Sequence, residues 1–202
     1  VIFQRLLNTT ESAGVDGSDQ GRWSHVDLIR YLASVQDDIP AVDIKKLKST
    51  SICRAEAPED ARAAERPRYK ISELFEPNDS LRNLELPIIE WPGKYQPSSR
   101  EGKFLTMLGL RSHPSALELI QHMATAGVEK NQPLYGRFMS YFLSEYHVNG
   151  YSAFDSSTVD VPFLPLEGSS GLSTPKKCFT DDGATLFGFQ MLRRDLHGHS
   201  SK

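Results

Sequence analysis

The sequence predicts a helix-rich α+β fold. Three observations carry this expectation: apolar residues recur at helical spacing behind capping residues, proline-punctuated extended segments lie between those stretches, and beyond residue 150 the pattern turns to short apolar runs separated by glycine and proline. The elements follow in order. Residues 8–22 are polar and glycine-containing and read, with the residues before them, as a loop or disordered lead-in over 1–22. Ser24 and Asp27 then resemble a capping box, and Leu28, Leu32 and Val35, widened by Ile29 and Ala33, predict a helix that ends near Asp37 and Asp38. Pro40 suits the opening of a second short helix with Ile44 and Leu47 inward and Lys45, Lys46 and Lys48 outward. Together these make a small helical subdomain over 23–54, open to a winged-helix reading.

Residues 55–68 mix charge and alanine without an apolar stripe and read as an exposed linker ahead of an α+β module over 69–202. Ile71, Leu74 and Phe75 form one apolar turn. The segment from Leu86 to Gly93 reads as extended, and its prolines place it at a sheet edge or outside any sheet. Ser98 and Glu101 suggest a second capping box before Phe104, Leu105 and Leu108, with Gly109 as the left-handed stop. Pro114 opens a helix with Leu117, Ile120 and Ala124 on one side beside Ala116 and Met123, ending at Gly127. A further helix, about Leu134 to Tyr146, carries Leu134, Phe138 and Phe142 on one stripe with Tyr135, Met139 and Tyr146 beside it. These three helices are expected to form a three-helix core. Short strands follow around Val161 to Leu166, Cys178-Phe179 and Leu186 to Leu192, with a turn at Gly168 to Gly171.

Composition bounds the chemistry. The 202 residues are 39% hydrophobic and carry a formal charge of -3, so no bulk field draws the chain to nucleic acid or an anionic membrane. No apolar run approaches the roughly 18 residues of a spanning helix. Cys53 and Cys178 are widely separated, which fits two reduced core thiols better than a disulfide framework or a zinc site. A cytoplasmic or nuclear, non-secreted location follows as an expectation. The chain opens on Val1-Ile2-Phe3 and closes on a polar tail just after an apolar run, a pattern that suggests an internal module of a longer chain with apolar surface at Phe187 and Phe189 meant for a neighbour.

The chain lacks the common catalytic and cofactor signatures. Neither Gly-x-x-x-x-Gly-Lys-Ser/Thr nor Gly-x-Gly-x-x-Gly occurs, so there is no phosphate-cradling loop of either kind, and the Gly-x-Ser-x-Gly nucleophile elbow does not occur either. His197 and His199 lie in a polar tail, and His25, His113, His122 and His147 border or occupy helices, so structural roles suit them better than metal ligation. Asp37-Asp38 and Asp181-Asp182 fit backbone capping at turns. A basic cluster runs through Lys45, Lys46, Lys48, Arg54, Arg62, Arg66, Arg68 and Lys70, but Glu56, Glu59, Asp60 and Glu65 interleave with it.

The stretches Tyr69 to Asp79, Leu86 to Trp91, Gly102 to Pro114 and Val161 to Leu166 resemble, in the same order, the fungal family of large sacsin-like proteins. The helix-Leu-Gly-Leu-loop-Pro-helix element is also similar to one in sacsin and in the plant No Vein protein. The resemblance implies a place downstream of an ATP-binding domain of the gyrase, chaperone and histidine-kinase type. It transfers no nucleotide-binding residue, because Asp16-Gly17-Ser18 and Asp182-Gly183-Ala184 lack the Asp-x-Gly-x-Gly signature.

The functional expectation is a non-catalytic interaction or scaffold module of a chaperone-related multidomain protein. Its expected partners are neighbouring modules of the same long chain and protein clients. No catalytic, cofactor-binding or metal residue and no small-molecule substrate is expected. The candidate interaction residues are Lys45, Lys48, Arg54, Trp91, Phe187 and Phe189. A nucleic-acid-binding winged-helix segment within 23–75 and a cryptic enzyme or metal site are the alternatives.

Overall fold

A computed structural model describes residues 24–57, 67–155, 158–166, 171–179 and 190–191. The fold is α+β, and the described residues fall into two compact units divided between His113 and Pro114.

In the first unit the caps are local and readable. Ser24 Oγ accepts the amide proton of Asp27 at 3.1 Å and starts helix α1 (His25–Ser34), which buries Leu28, Ile29 and Leu32 and is followed by a 3-10 turn at Gln36–Asp38. Pro40 sits at the N-cap of α2 (Ala41–Ser49), where Leu47 is buried, Ile44 packs against the core and Lys45, Lys46 and Lys48 face water. Strand β1 (Cys53–Arg54) pairs antiparallel with β2 (Arg68–Tyr69). Of the stretch expected as a linker, 58–66 lies outside the described residues, while its flanks are tied into this ribbon and, through Ala55, to Ile89.

After a 3-10 turn at Ile71–Glu73 and the short α3 (Asp79–Arg82) comes α4 (Arg100–Leu108), which packs on α1. Its cap is Ser99, one residue later than the spacing suggested, with Ser99 Oγ accepting from the Gly102 amide at 3.0 Å. Gly109 ends it at φ 109°. Phe104, Leu105 and Leu108 close the core against Leu28, Ile29 and Ile52. Arg100 Nη2 reaches the Ser34 carbonyl at 2.7 Å and ties the start of α4 to the end of α1.

The extended segment around Ile88 is more embedded than expected. It bridges Phe75 on one side and Ala55 on the other, and Phe75 in turn bridges Arg111. Pro87 and Pro92 flank the paired positions rather than occupying them: Ile89 donates to the Phe75 carbonyl at 2.9 Å and Glu90 to the Arg54 carbonyl at 2.9 Å. The prolines therefore withhold no amide that the ladder needs.

In the second unit α5 (Ala116–Val128) and α6 (Gln132–Ser144) pack as a helical hairpin. Ser115 and Glu118 form a full capping box on α5, and Asn131 caps α6 by accepting from the Leu134 amide at 3.2 Å. The buried face of α5 is Ala116, Leu119, Ile120, Met123, Ala124 and Ala126, whereas Leu117, expected inside, is 45% exposed. On α6 Tyr135, Phe138 and Met139 are buried and Phe142 is half-buried. The three helices expected in one core are thus distributed between the two units, α4 in the first and the α5–α6 hairpin in the second.

A 3-10 turn at Tyr151–Ala153 leads to β3 (Leu164–Pro165), paired antiparallel with β4 (Leu172–Ser173), and then to β5 (Cys178–Phe179), paired parallel with β6 (Gln190–Met191). Tyr135 Oη donates to the Phe163 carbonyl at 2.9 Å, holding the approach to β3 on α6. The expected turn at Gly168 to Gly171 and the lead-in over 1–22 fall almost wholly outside the described residues.

Candidate interaction surface

Trp91 is the candidate with the most developed surroundings. It follows the Ile88–Glu90 bridge directly, so its backbone is fixed by the Glu90 to Arg54 hydrogen bond. Its ring packs against the apolar core of the first unit together with that of Tyr95, the two meeting edge to face at 5.9 Å and 85°. Arg30, one residue past the buried Ile29 of α1, places its guanidinium 5.8 Å from the Trp91 ring centre. The Arg30 side chain is 50% exposed and is steadied by Asp27 one turn back at 3.8 Å. Beside it Tyr31 is 40% exposed. The Arg30 cation, the Trp91 indole and the Tyr95 phenol form a strip against the core, with the guanidinium reaching water and the Tyr95 hydroxyl buried.

Burial governs the titrating groups around this strip. Desolvation pushes the Tyr95 hydroxyl up to about 12, with the Glu76 carboxylate adding to the shift, and the buried Tyr95 Oη has no hydrogen-bond partner among the described residues. Glu76 is itself raised by burial, against the opposing pull of His113. His25, at the first turn of α1, is 8% exposed and its Nε2 lies 3.0 Å from the Glu90 carbonyl oxygen. Burial holds its imidazole below the ordinary 6.5, an effect the Glu90 carbonyl and carboxylate oppose and Arg54 and Arg68 reinforce.

A family model described as a protein of unknown function, DUF3684, matches residues 1–202. The chain belongs to that family. No curated protein and no solved structure matches it.

In this DUF3684 chain the other expected site residues are placed as follows. Lys45 and Lys48 are exposed on α2, and Arg54 is half-buried on β1 opposite Arg68. Phe187, Phe189, His197 and His199 lie outside the described residues. Among the described residues no group of three or more His, Cys, Asp or Glu is placed to hold a metal ion, and no helix is long and apolar enough to cross a membrane. His122 is exposed on α5 and stacks on Phe138 at 4.9 Å. Cys53 is a buried core thiol as expected, whereas Cys178 is only half-buried, its thiol donating to the Thr174 carbonyl at 3.2 Å. Sequence reading picked out Trp91 but not Arg30 or Tyr95. Arg30 carries no local signal, because its contact with Trp91 joins positions distant in the chain, and the four-residue spacing of Trp91 and Tyr95 is the one sequence signal of their pairing.

Proposed function

We propose that this chain is a non-catalytic interaction or scaffold module of a large, sacsin-like, chaperone-related multidomain protein in the cytoplasm or nucleus, and that it docks neighbouring modules of the same long chain and protein clients. The observation that carries the reading is the Arg30–Trp91–Tyr95 strip. Trp, Tyr and Arg are the residues that concentrate binding energy at protein interfaces, and they do so best when rigid and surrounded by contacts that exclude water. Here the indole and the phenol are half-buried against a packed core, so little side-chain freedom is left to lose on docking. Support for the sacsin-like context comes from the ordered resemblance of the segments between Tyr69 and Leu166.

The test is binding in trans between this chain and the flanking segments of its full-length gene product, measured by calorimetry. Trp91→Ala should weaken that binding at least about tenfold, or about 1.4 kcal/mol, and Arg30→Ala by less. Undiminished binding by a folded Trp91→Ala protein would overturn the reading.

A further inference from the structure

Arg54 and Arg68 face each other as Cα partners on the β1–β2 ribbon. Residues directly opposite on an antiparallel pair share one face of the sheet, with Cβ atoms about 5 Å apart, and like charges in that relation repel. Both residues are half-buried, which leaves less water to screen them. Among the described residues no carboxylate comes within ion-pair distance of either guanidinium. The electrostatics of the neighbourhood agree: the affinity of Arg68 for its proton is lowered by burial and then by Arg54, and His25 feels both arginines. Two positive charges therefore face each other across a short ribbon, neither within ion-pair distance of a carboxylate among the described residues, the Glu90 carboxylate acting with them on His25.

We propose that Arg54 and Arg68 form a binding site for a dianionic phosphate group. Two guanidinium forks offer parallel donors suited to tetrahedral oxyanions, and a charge of -2 balances the pair where a single carboxylate would not. The phosphate is that of a phosphorylated small molecule or of free phosphate. A nucleic-acid backbone is the competing source, since Lys45 and Lys48 stand exposed on the helix that precedes the ribbon.

Amide chemical shifts of the whole chain are followed while inorganic phosphate, and separately pyrophosphate, is added at constant ionic strength set with chloride. The expected result is a saturable response centred on residues 53–55 and 67–69, weakened at least about tenfold in Arg54→Gln and in Arg68→Gln. Arg54→Lys should retain part of it, and Trp91→Ala all of it, which separates this site from the docking strip. A short DNA duplex forms a second arm. Its binding should be weak and unchanged by either Gln variant. The site is overturned if phosphate gives no saturable response, if both Gln variants respond like the parent chain, or if the variants lose only duplex binding.

Discussion

Tyr151 donates its hydroxyl proton to the carbonyl oxygen of Pro114 at 2.8 Å, joining the 3-10 turn that follows α6 to the first residue of the second unit. The Tyr151 ring stacks on Phe142 at 5.4 Å and 5°, and Asn149 Nδ2 donates to the Tyr151 and Tyr141 hydroxyl oxygens at 3.4 and 3.3 Å. Tyr151→Phe keeps the stack and deletes the bond to a buried carbonyl, so it should cost about 1–2 kcal/mol in urea unfolding. An unchanged midpoint would mean that the Pro114 carbonyl does not depend on this donor.

Two helical glycines should respond to alanine with opposite signs. A Cβ at Gly102 would fall against backbone, including the Pro97 carbonyl oxygen at 2.6 Å, whereas one at Gly136 would meet nothing within 4 Å. Gly102→Ala should destabilise by about 1–3 kcal/mol because the chain before α4 has to move. Gly136→Ala should stabilise by about 0.5–1 kcal/mol through the lost backbone freedom of the unfolded chain. Thermal melts of both variants check this, and equal shifts would contradict the close approach at α4.

Stability should fall as the solution is acidified through the range of His25. Its folded value is held below 6.5, so the unfolded chain takes up the proton first. The contribution of neutral His25 is complete above 6.5 and is lost as pH falls through the folded value, with a slope of at most about 1.4 kcal/mol per pH unit. Glu76 works the other way: raised from 4.5, it adds stability as pH falls through its folded value. His25→Gln should flatten the upper part of the profile in denaturation at stepped pH, and Glu76→Gln should leave that part alone.

Cysteine labelling separates the two thiols. Burial pushes Cys53 up to about 12, so at pH 8 it holds almost no thiolate and is shielded by the core. Half-buried Cys178 should react with iodoacetamide in the native state and Cys53 only after unfolding, as read by mass spectrometry.

The elements whose signals are local were legible. Ser24, Asp27 and Gly109 act within one turn, and their roles follow from residue type and spacing alone. The phase of α5 was not, because Leu117 and Leu119 both extend apolar stripes at helical period and only the packing against α6 decides which is buried. The inner position of Ile88 and Ile89 was masked by their prolines, whose effect depends on which amides the neighbours use. Of the interaction strip, Trp91 was visible as an aromatic between prolines, but its coupling to Arg30 joins positions distant in the chain. The Arg54–Arg68 opposition was hidden in a run whose charges cancel on paper and are sorted only by strand register.

Phe75 has a consequence for the order of folding. Its amide and carbonyl are both used by the 87–89 segment, which also bridges Ala55, while Phe75 itself bridges Arg111, with the Arg111 guanidinium 4.1 Å from its ring centre. That junction closes only when strands distant in the chain meet, so each link carries a loop-closure entropy. The α5–α6 hairpin needs only a short joint, Glu129 to Asn131, and can zip from neighbouring contacts. Non-local pairing is the slower route. The hairpin therefore has the shorter search in this chain, and the Phe75 junction the longer one.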